Sequence, residues 1–415
     1  MHPVEFASES ELARVLAPVA LGGEILSYSF ARCFHEAYGV KTIVVSAVNV
    51  RATSSSRFVD YRVIPAIQEG DAAALAYLRQ LGAELRADGK VPIIFGNADW
   101  HARLLSMHKD ELSEWFIVPY NDFSLQSQIT QKSVFYQLCD KLGIAYPKTW
   151  RYDFSASSPA LDLDALPYPL IAKPSNSSRY DLLTFSGKEK VYTVSDAQEL
   201  RRVLNVVGAA GYDDEFILQD FIPGDDDSIR TLTTFSDSNG DVRVVSGGRV
   251  VLQDHDPLRI GNPMCVLLER TQRVIDDAKR FCRETGYRGF ANFDIKFDAR
   301  NGRYCFFEVN TRPGRNTYYM ALGGANIAKL LVDEYVLERP IPYREAYDDM
   351  LYTCVPVSVV RRHVADLGLR REVLSHYRNG NFGYPYDYVP DSLLHKVWSK
   401  VIWAHQIEKF KRNMG

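Results

Sequence analysis

The stretch that most constrains the fold is residues 290–315, FANFDIKFDARNGRYCFFEVNTRPGR. Two short segments with alternating apolar residues flank an Asp/Asn/Gly-rich turn at 298–302, the composition that closes hairpins. Side chains alternate faces along a strand. On the first strand Ala291, Phe293, Ile295 and Phe297 share one face, and Asn292, Asp294 and Lys296 share the other. On the second, Cys305, Phe307 and Val309 lie opposite Tyr304, Phe306, Glu308 and Asn310. Paired across the turn, Asp294, Glu308 and Asn310 converge on one face. Three hard oxygen donors suit Mg²⁺ better than Zn²⁺. The alternative is a solvated sheet face.

The spacing D-x-K-x-D, turn, F-x-E-x-N-x-R-P resembles the catalytic signature of the ATP-grasp superfamily, the ATP-dependent carboxylate–amine ligases. The resemblance implies that Asp294, Glu308 and Asn310 hold two Mg²⁺ ions on the phosphates of ATP, with Mn²⁺ able to substitute. It also implies that Arg312, and with it Arg230, act as catalytic cations.

Totals narrow the remaining options. The 415 residues are enough for two or three domains, and 46% hydrophobic with 24% charged content is that of an ordered globular chain. A formal charge of −3 gives no reason to expect nucleic acid. Six scattered cysteines without a CxxC pair point to reduced core residues. With no spanning segment and no signal-like start, a cytoplasmic location is the expectation.

The start of the chain reads as an open parallel sheet. A buried strand at 15–21, a Gly22-Gly23 turn, a helix at 25–38 stopped by Gly39 and a strand at 41–46 make a β-α-β unit. A helix at 72–87 and a strand at 91–95 follow, and 116–119 reads as a short connecting strand. Ligands in such sheets sit at strand carboxyl ends, which makes Asn97 and Asp99 candidate substrate contacts. Residues 1–125 resemble the preATP-grasp domain. The fold class is therefore α/β, with α+β character in the catalytic part.

The resemblance continues through residues 126–337, with a lid at about 150–222. Lys132, off the apolar stripe of a helix that ends at Gly143, matches the first phosphate lysine. Lys173, inside the apolar strand PLIAKPS, matches the second; a lysine there is costly without an anion or carboxylate partner. The loop at 175–180 lacks the family's glycines, and Arg179 is a further phosphate candidate. At the adenine hinge Gln219 stands where Glu is more usual, Phe221 and Ile222 line the base, and Asp226 or Asp227 meets the ribose. Ser195 and Gln198 look like a capping box. Arg249 and Arg259 are candidates for a substrate carboxylate.

Residues 338–415 read as a mostly helical extension. Its last helix has Leu393, Leu394, Val397, Val401, Ile402 and Phe410 as the expected buried face. Within the superfamily the motifs are most similar to bacterial carboxylate–amine ligases that include D-aspartate ligases. The implied reaction passes through an acylphosphate and joins a small carboxylate to an amine, with D-aspartate and a peptidoglycan precursor as the candidate pair. A homodimer is compatible with this reading. An ATP-grasp carboxylate kinase and a non-catalytic nucleotide-binding module are the alternatives.

Overall fold

The computed structural model describes residues 8–155, 161–175, 179–180, 182–256 and 259–414. They form two compact units, each drawn from separate stretches of chain. The larger takes residues 1–126, 226–293 and 310–415; the smaller takes 127–225 and 294–309.

The larger unit begins with the parallel sheet expected from the β-α-β pattern. Strands β1 (Leu16–Leu21), β2 (Thr42–Ser46), β3 (Val59–Val63) and β4 (Val91–Gly96) run in the order β3-β2-β1-β4. β1 and β2 are buried along their whole length, which is why their sequences are unbroken apolar runs rather than alternating ones. The helix Ile25–Tyr38 connects them, packs against both and ends at Gly39, whose φ of 68° is left-handed and open to glycine at little cost. The strand expected at 116–119 is reduced to a single bridge, Ile93 to Ile117. Val118 and Pro119 fall outside any ladder, and proline has no N–H to extend one.

The second sheet of this unit is built around β9 (Ile229–Ser236) and β10 (Val242–Gln253), an antiparallel pair closed by a turn that Asp237 organises. The Asp237 carboxylate accepts from the backbone N–H groups of Asn239 and Asp241 and from Arg243 Nε. β11 (Pro263–Leu268), which the sequence pattern did not reveal, continues the sheet antiparallel to β10. β14 (Arg344–Glu345), β15 (Leu351–Thr353) and β16 (Phe382–Gly383) join it from the C-terminal segment. That segment is therefore part of the unit's sheet and not only a helical extension.

The last helix, Leu393–Met414, corrects the sequence reading more sharply. Leu393, Leu394, Val397 and Val401 are exposed, whereas His395, Ser399, Gln406 and Lys409 are buried beside Phe410. The helix is held by polar contacts. The His395 ring stacks on Tyr28 and bonds the carbonyls of Ala52 and Tyr386, and Lys409 pairs with the buried Asp254. Apolar periodicity picks the buried face only when the receiving surface is apolar, and here it offers carbonyls and a carboxylate.

The smaller unit has an antiparallel sheet, β5 (Thr149–Asp153), β8 (Glu215–Asp220), β6 (Leu170–Pro174) and β7 (Tyr192–Val194), in the order β5-β8-β6-β7. Leu170, Ala172, Val194 and Phe216 form its core with Leu200 and Leu204 of the helix Ala197–Ala209. The cap of that helix is one residue later than expected. Asp196 accepts from Glu199 N, and Glu199 reaches back to Ser195 N. Either register places a short polar residue three before a Glu or Gln, and the charged pair is the stronger one.

The hairpin of β12 (Gly289–Asp298) and β13 (Arg303–Asn310) forms as the alternation requires. Its turn is clamped by one buried carboxylate. Asp298 accepts from Arg300 N and Nε and from Asn301 Nδ2, while its carbonyl accepts from the N–H groups of Asn301 and Gly302. The Arg300 hydrogen bond holds the Asp298 carboxyl below its ordinary range, outweighing burial. Asp298→Ala is expected to lower stability by about 1–3 kcal/mol at neutral pH. Because the folded-state pKa is depressed, that difference is present above about pH 4 and shrinks as pH falls below it. Thermal melts of both proteins across that range check the size and the sign.

Candidate active site

Strand β6 carries Lys173 as its fourth residue, and the helix Lys132–Leu142 carries Lys132 as its first. Both side chains are largely buried, Lys132 at 13% and Lys173 at 9% exposure. The Lys132 ammonium is 3.8 Å from Glu308 Oε2, and the Lys173 ammonium lies 5.6 Å from the centre of the Phe307 ring. Burial, then the neighbouring Lys132, lowers the Lys173 pKa from 10.5 to about 7, against the pull of Glu308. Burial alone would raise the Glu308 carboxyl. Lys132, Lys173 and Lys190 outweigh it and hold the group below the ordinary glutamate range. Lys190 had no signal in the sequence, because a loop lysine is by default solvated.

The Asp294 carboxyl stands in hydrogen-bonding contact with Glu308. Two carboxyl groups that close repel unless a proton or cation lies between them. Among the described residues no group of three His, Cys, Asp or Glu side chains is arranged to hold a metal. The Asp294 and Glu308 pair offers hard oxygen donors, the type that suits Mg²⁺. Asn310, two residues beyond Glu308 on the same strand face, belongs to the larger unit and donates to the Asn292 carbonyl at 3.5 Å. Asn292, on the same strand face as Asp294, is buried and accepts from Thr233 Oγ1 at 2.9 Å.

At the hinge in the smaller unit, Gln219 is buried and its Nε2 donates to Thr149 Oγ1, while its Oε1 is buried without a hydrogen-bond partner among the described residues. A buried unpartnered amide oxygen in the position read as the adenine hinge fits an N–H donor of a base. Phe221 lies under the Lys296 ammonium, and Ile222 packs with Ala145 and Cys305. A cavity of about 350 Å³ in this unit is lined by Ile222, Lys148, Asp220 and Asp298, but by neither Lys132 nor Lys173. The loop read as a phosphate cradle falls largely on residues 176–178, outside the described residues. Arg179 is paired with Asp213 at 2.7 Å.

In the larger unit the two ribose candidates separate. Asp226 is buried and accepts from Gln253 N, Gln253 Nε2 and His255 Nε2, so its carboxylate is engaged in holding β10. Asp227 is half-buried and bonds Arg230 through its carbonyl, which leaves its carboxylate the better candidate. Arg230 and Arg249 both meet Glu269, a residue the sequence reading passed over. Arg249 is bound to it through Nε and Nη2 at 2.7 Å, and Arg230 lies at 3.7 Å. Arg259 is exposed in a tight turn, its carbonyl accepting from Asn262.

Two candidates far apart in sequence are brought together. Arg312 Nε donates to Asp99 at 2.6 Å. Asn97 follows β4 at its carboxyl end and lies against Gly22 at the end of β1, so that a Cβ at Gly22 would collide with the Asn97 side chain. Its Nδ2 is buried without a hydrogen-bond partner among the described residues. Arg315 pairs with Glu24 at 3.0 Å near Tyr352 and Tyr386, which sequence reading also missed.

A family model for the ATP-binding domain of the carbamoyl-phosphate synthase L chain matches residues 239–326. A D-aspartate ligase of Enterococcus faecium (strain Aus0004) is 34% identical over 326 residues, spanning 78% of this chain and 77% of that one. The chain belongs to the ATP-grasp ligases. Its fold resembles an L-amino acid ligase from Bacillus licheniformis at 16% identity, with a TM-score of 0.55 over 77% of this chain and 74% of the other. The biotin carboxylase domain of a Hydrogenobacter thermophilus 2-oxoglutarate carboxylase, solved with MgADP, matches at 14% identity and TM-score 0.55 over 78% and 70%. This ATP-grasp ligase is an ATP-dependent enzyme of the class that forms C–N bonds. Among its described residues no helix is long and apolar enough to cross a membrane.

Two outcomes test the assignments to side chains. Burial and Lys132 lower the Lys173 pKa to about 7, and a polyphosphate bound beside it is expected to raise it again. ADP binding at pH 8 is therefore expected to take up a proton, and affinity falls as pH rises above 7. Calorimetry in buffers of different ionisation enthalpy measures the uptake, and K173R is expected to abolish it. Separately, Asp227→Ala is expected to weaken ADP binding about tenfold while leaving the melting temperature in place. Asp226→Ala is expected to cost about 2 kcal/mol of stability, because the Gln253 and His255 donors lose their acceptor. Melts and ADP titrations of the two variants separate the roles.

Proposed function

We propose that the enzyme activates the carboxylate of D-aspartate with ATP and joins it to an amine of a peptidoglycan precursor. The observation that carries this reading is the 34% identity with a D-aspartate ligase over most of both chains, on top of a carboxylate–lysine cluster suited to a nucleotide polyphosphate. In the proposed reaction a carboxylate oxygen attacks the γ-phosphorus of ATP, the bond to the β-phosphate oxygen breaks, and an acylphosphate and ADP result. The amine then attacks the acyl carbon, phosphate leaves, and the nitrogen gives up a proton.

Lys132 and Lys173 serve as fixed counter-charges to the triphosphate, and their mutual repulsion when empty favours an anion between them. Asp294, Glu308 and Asn310 are the residues that would hold Mg²⁺, which supplies charge neutralisation at the phosphates when bound. Gln219, Phe221 and Ile222 receive the base and Asp227 the ribose. Arg312, oriented by Asp99, stabilises charge developing at the transferred group, and Arg230 assists from beside Glu269.

A phosphate-release assay over D- and L-amino acids, with and without a muramyl pentapeptide acceptor, tests the substrate. Release that depends on both D-aspartate and the acceptor is expected; release with another acid alone refutes this substrate pair. Glu308→Gln and Asn310→Asp are each expected to lower kcat by at least about 10²-fold with the fold intact. Wild-type turnover in both would remove the metal roles.

A further inference from the structure

The helices Val357–His363 and Leu367–Asn379 face each other across a cavity of about 330 Å³ in the larger unit. Its lining is Val357 and Arg361 from the first helix and Arg371, Leu374, Tyr377 and Arg378 from the second. On the first helix the spacing is i, i+4, and on the second Arg371, Leu374 and Arg378 stand at i, i+3 and i+7. Those spacings put each set on one helical face. The cavity therefore has three exposed arginines and no acidic residue among its lining residues.

Many of the chain's arginines have carboxylate partners. Arg32, Arg62, Arg79, Arg103, Arg243 and Arg270, among others, are paired with carboxylates. None of Arg361, Arg371 and Arg378 has an ion pair among the described residues. Arg371 Nε donates to the Leu367 carbonyl at 3.1 Å, which fixes its stem beside the cavity. The floor is also fixed. The Tyr377 hydroxyl is bound to Thr353 Oγ1 and the Val355 carbonyl, both at 2.7 Å, and its ring packs against Phe382. Three like charges around one concavity repel each other, and an anion with its own apolar portion relieves that repulsion while covering Val357, Leu374 and the Tyr377 ring.

We propose that this cavity is a binding site for a small organic anion, a phosphate or carboxylate attached to an apolar or aromatic group. None of its lining residues belongs to the set assigned to ATP, metal or substrate. The guanidinium forks receive the anion, and the apolar wall receives the body.

The test uses the full chain with saturating MgADP, which occupies the nucleotide site. Phenyl phosphate, benzoate and phenol are titrated by calorimetry or by ligand-observed NMR. Saturable binding of phenyl phosphate or of benzoate, with phenol much weaker, supports the site, and the better anion identifies the headgroup. The double variant R371Q/R378Q is expected to lose about tenfold or more in affinity with ADP affinity and turnover unchanged. R371K, which keeps the charge but not the fork and guards against a folding defect in the double variant, is expected to lose less. Absence of saturable binding by both anions, phenol binding as tightly, or full affinity in R371Q/R378Q would overturn the proposal.

Discussion

The contact on which the candidate site depends is that between the Asp294 and Glu308 carboxyls on a hairpin, countered by Lys132 and Lys173. In isolation each half is unstable: two adjacent carboxylates repel, and two lysines sharing a buried region repel. Together they hold Glu308 ionised and still leave Lys173 with a depressed pKa. The cluster thus carries residual demand for both a cation near the carboxylates and an anion near the lysines. A metal-bound polyphosphate meets both demands with one ligand. The proposed function rests on that match between the hairpin carboxyls and the two lysines.

The arginines tell a complementary story. Arg249 and Arg230 converge on Glu269, and Arg312 converges on Asp99, so these three candidate cations each have an internal partner that sets their orientation. Such partners restrict the guanidinium to one direction and lower the cost of ordering it when substrate arrives. Arg361, Arg371 and Arg378, which line the cavity near Tyr377, have no ion pair among the described residues.

The placement of several candidate residues could be read in advance because they lie in short, strongly patterned strands. Period-two alternation placed Asp294 and Glu308 on one face, and the apolar run around Lys173 marked it as a lysine in need of an anion. Asp226 and Asp227 could not be told apart, since both lie in one acidic run and differ only in which of them β10 captures. Asn292 illustrates the same limit: alternation gave its face correctly, but Thr231 and Thr233 on a strand far away in sequence decided that it is a buried hydrogen-bond acceptor.

The sequence by itself determined the open parallel sheet, the β12–β13 hairpin and the identity of the family, because each rests on local periodicity, turn chemistry or a compact motif. Only the tertiary structure decided which face of the helix Leu393–Met414 is buried, that the C-terminal segment supplies strands to the larger unit's sheet, and that Glu269, Asp99 and Glu24 orient the arginines. The physical reason is the same in each case. Local pattern fixes which way a side chain points along its own element, whereas its partner comes from an element dozens or hundreds of residues away.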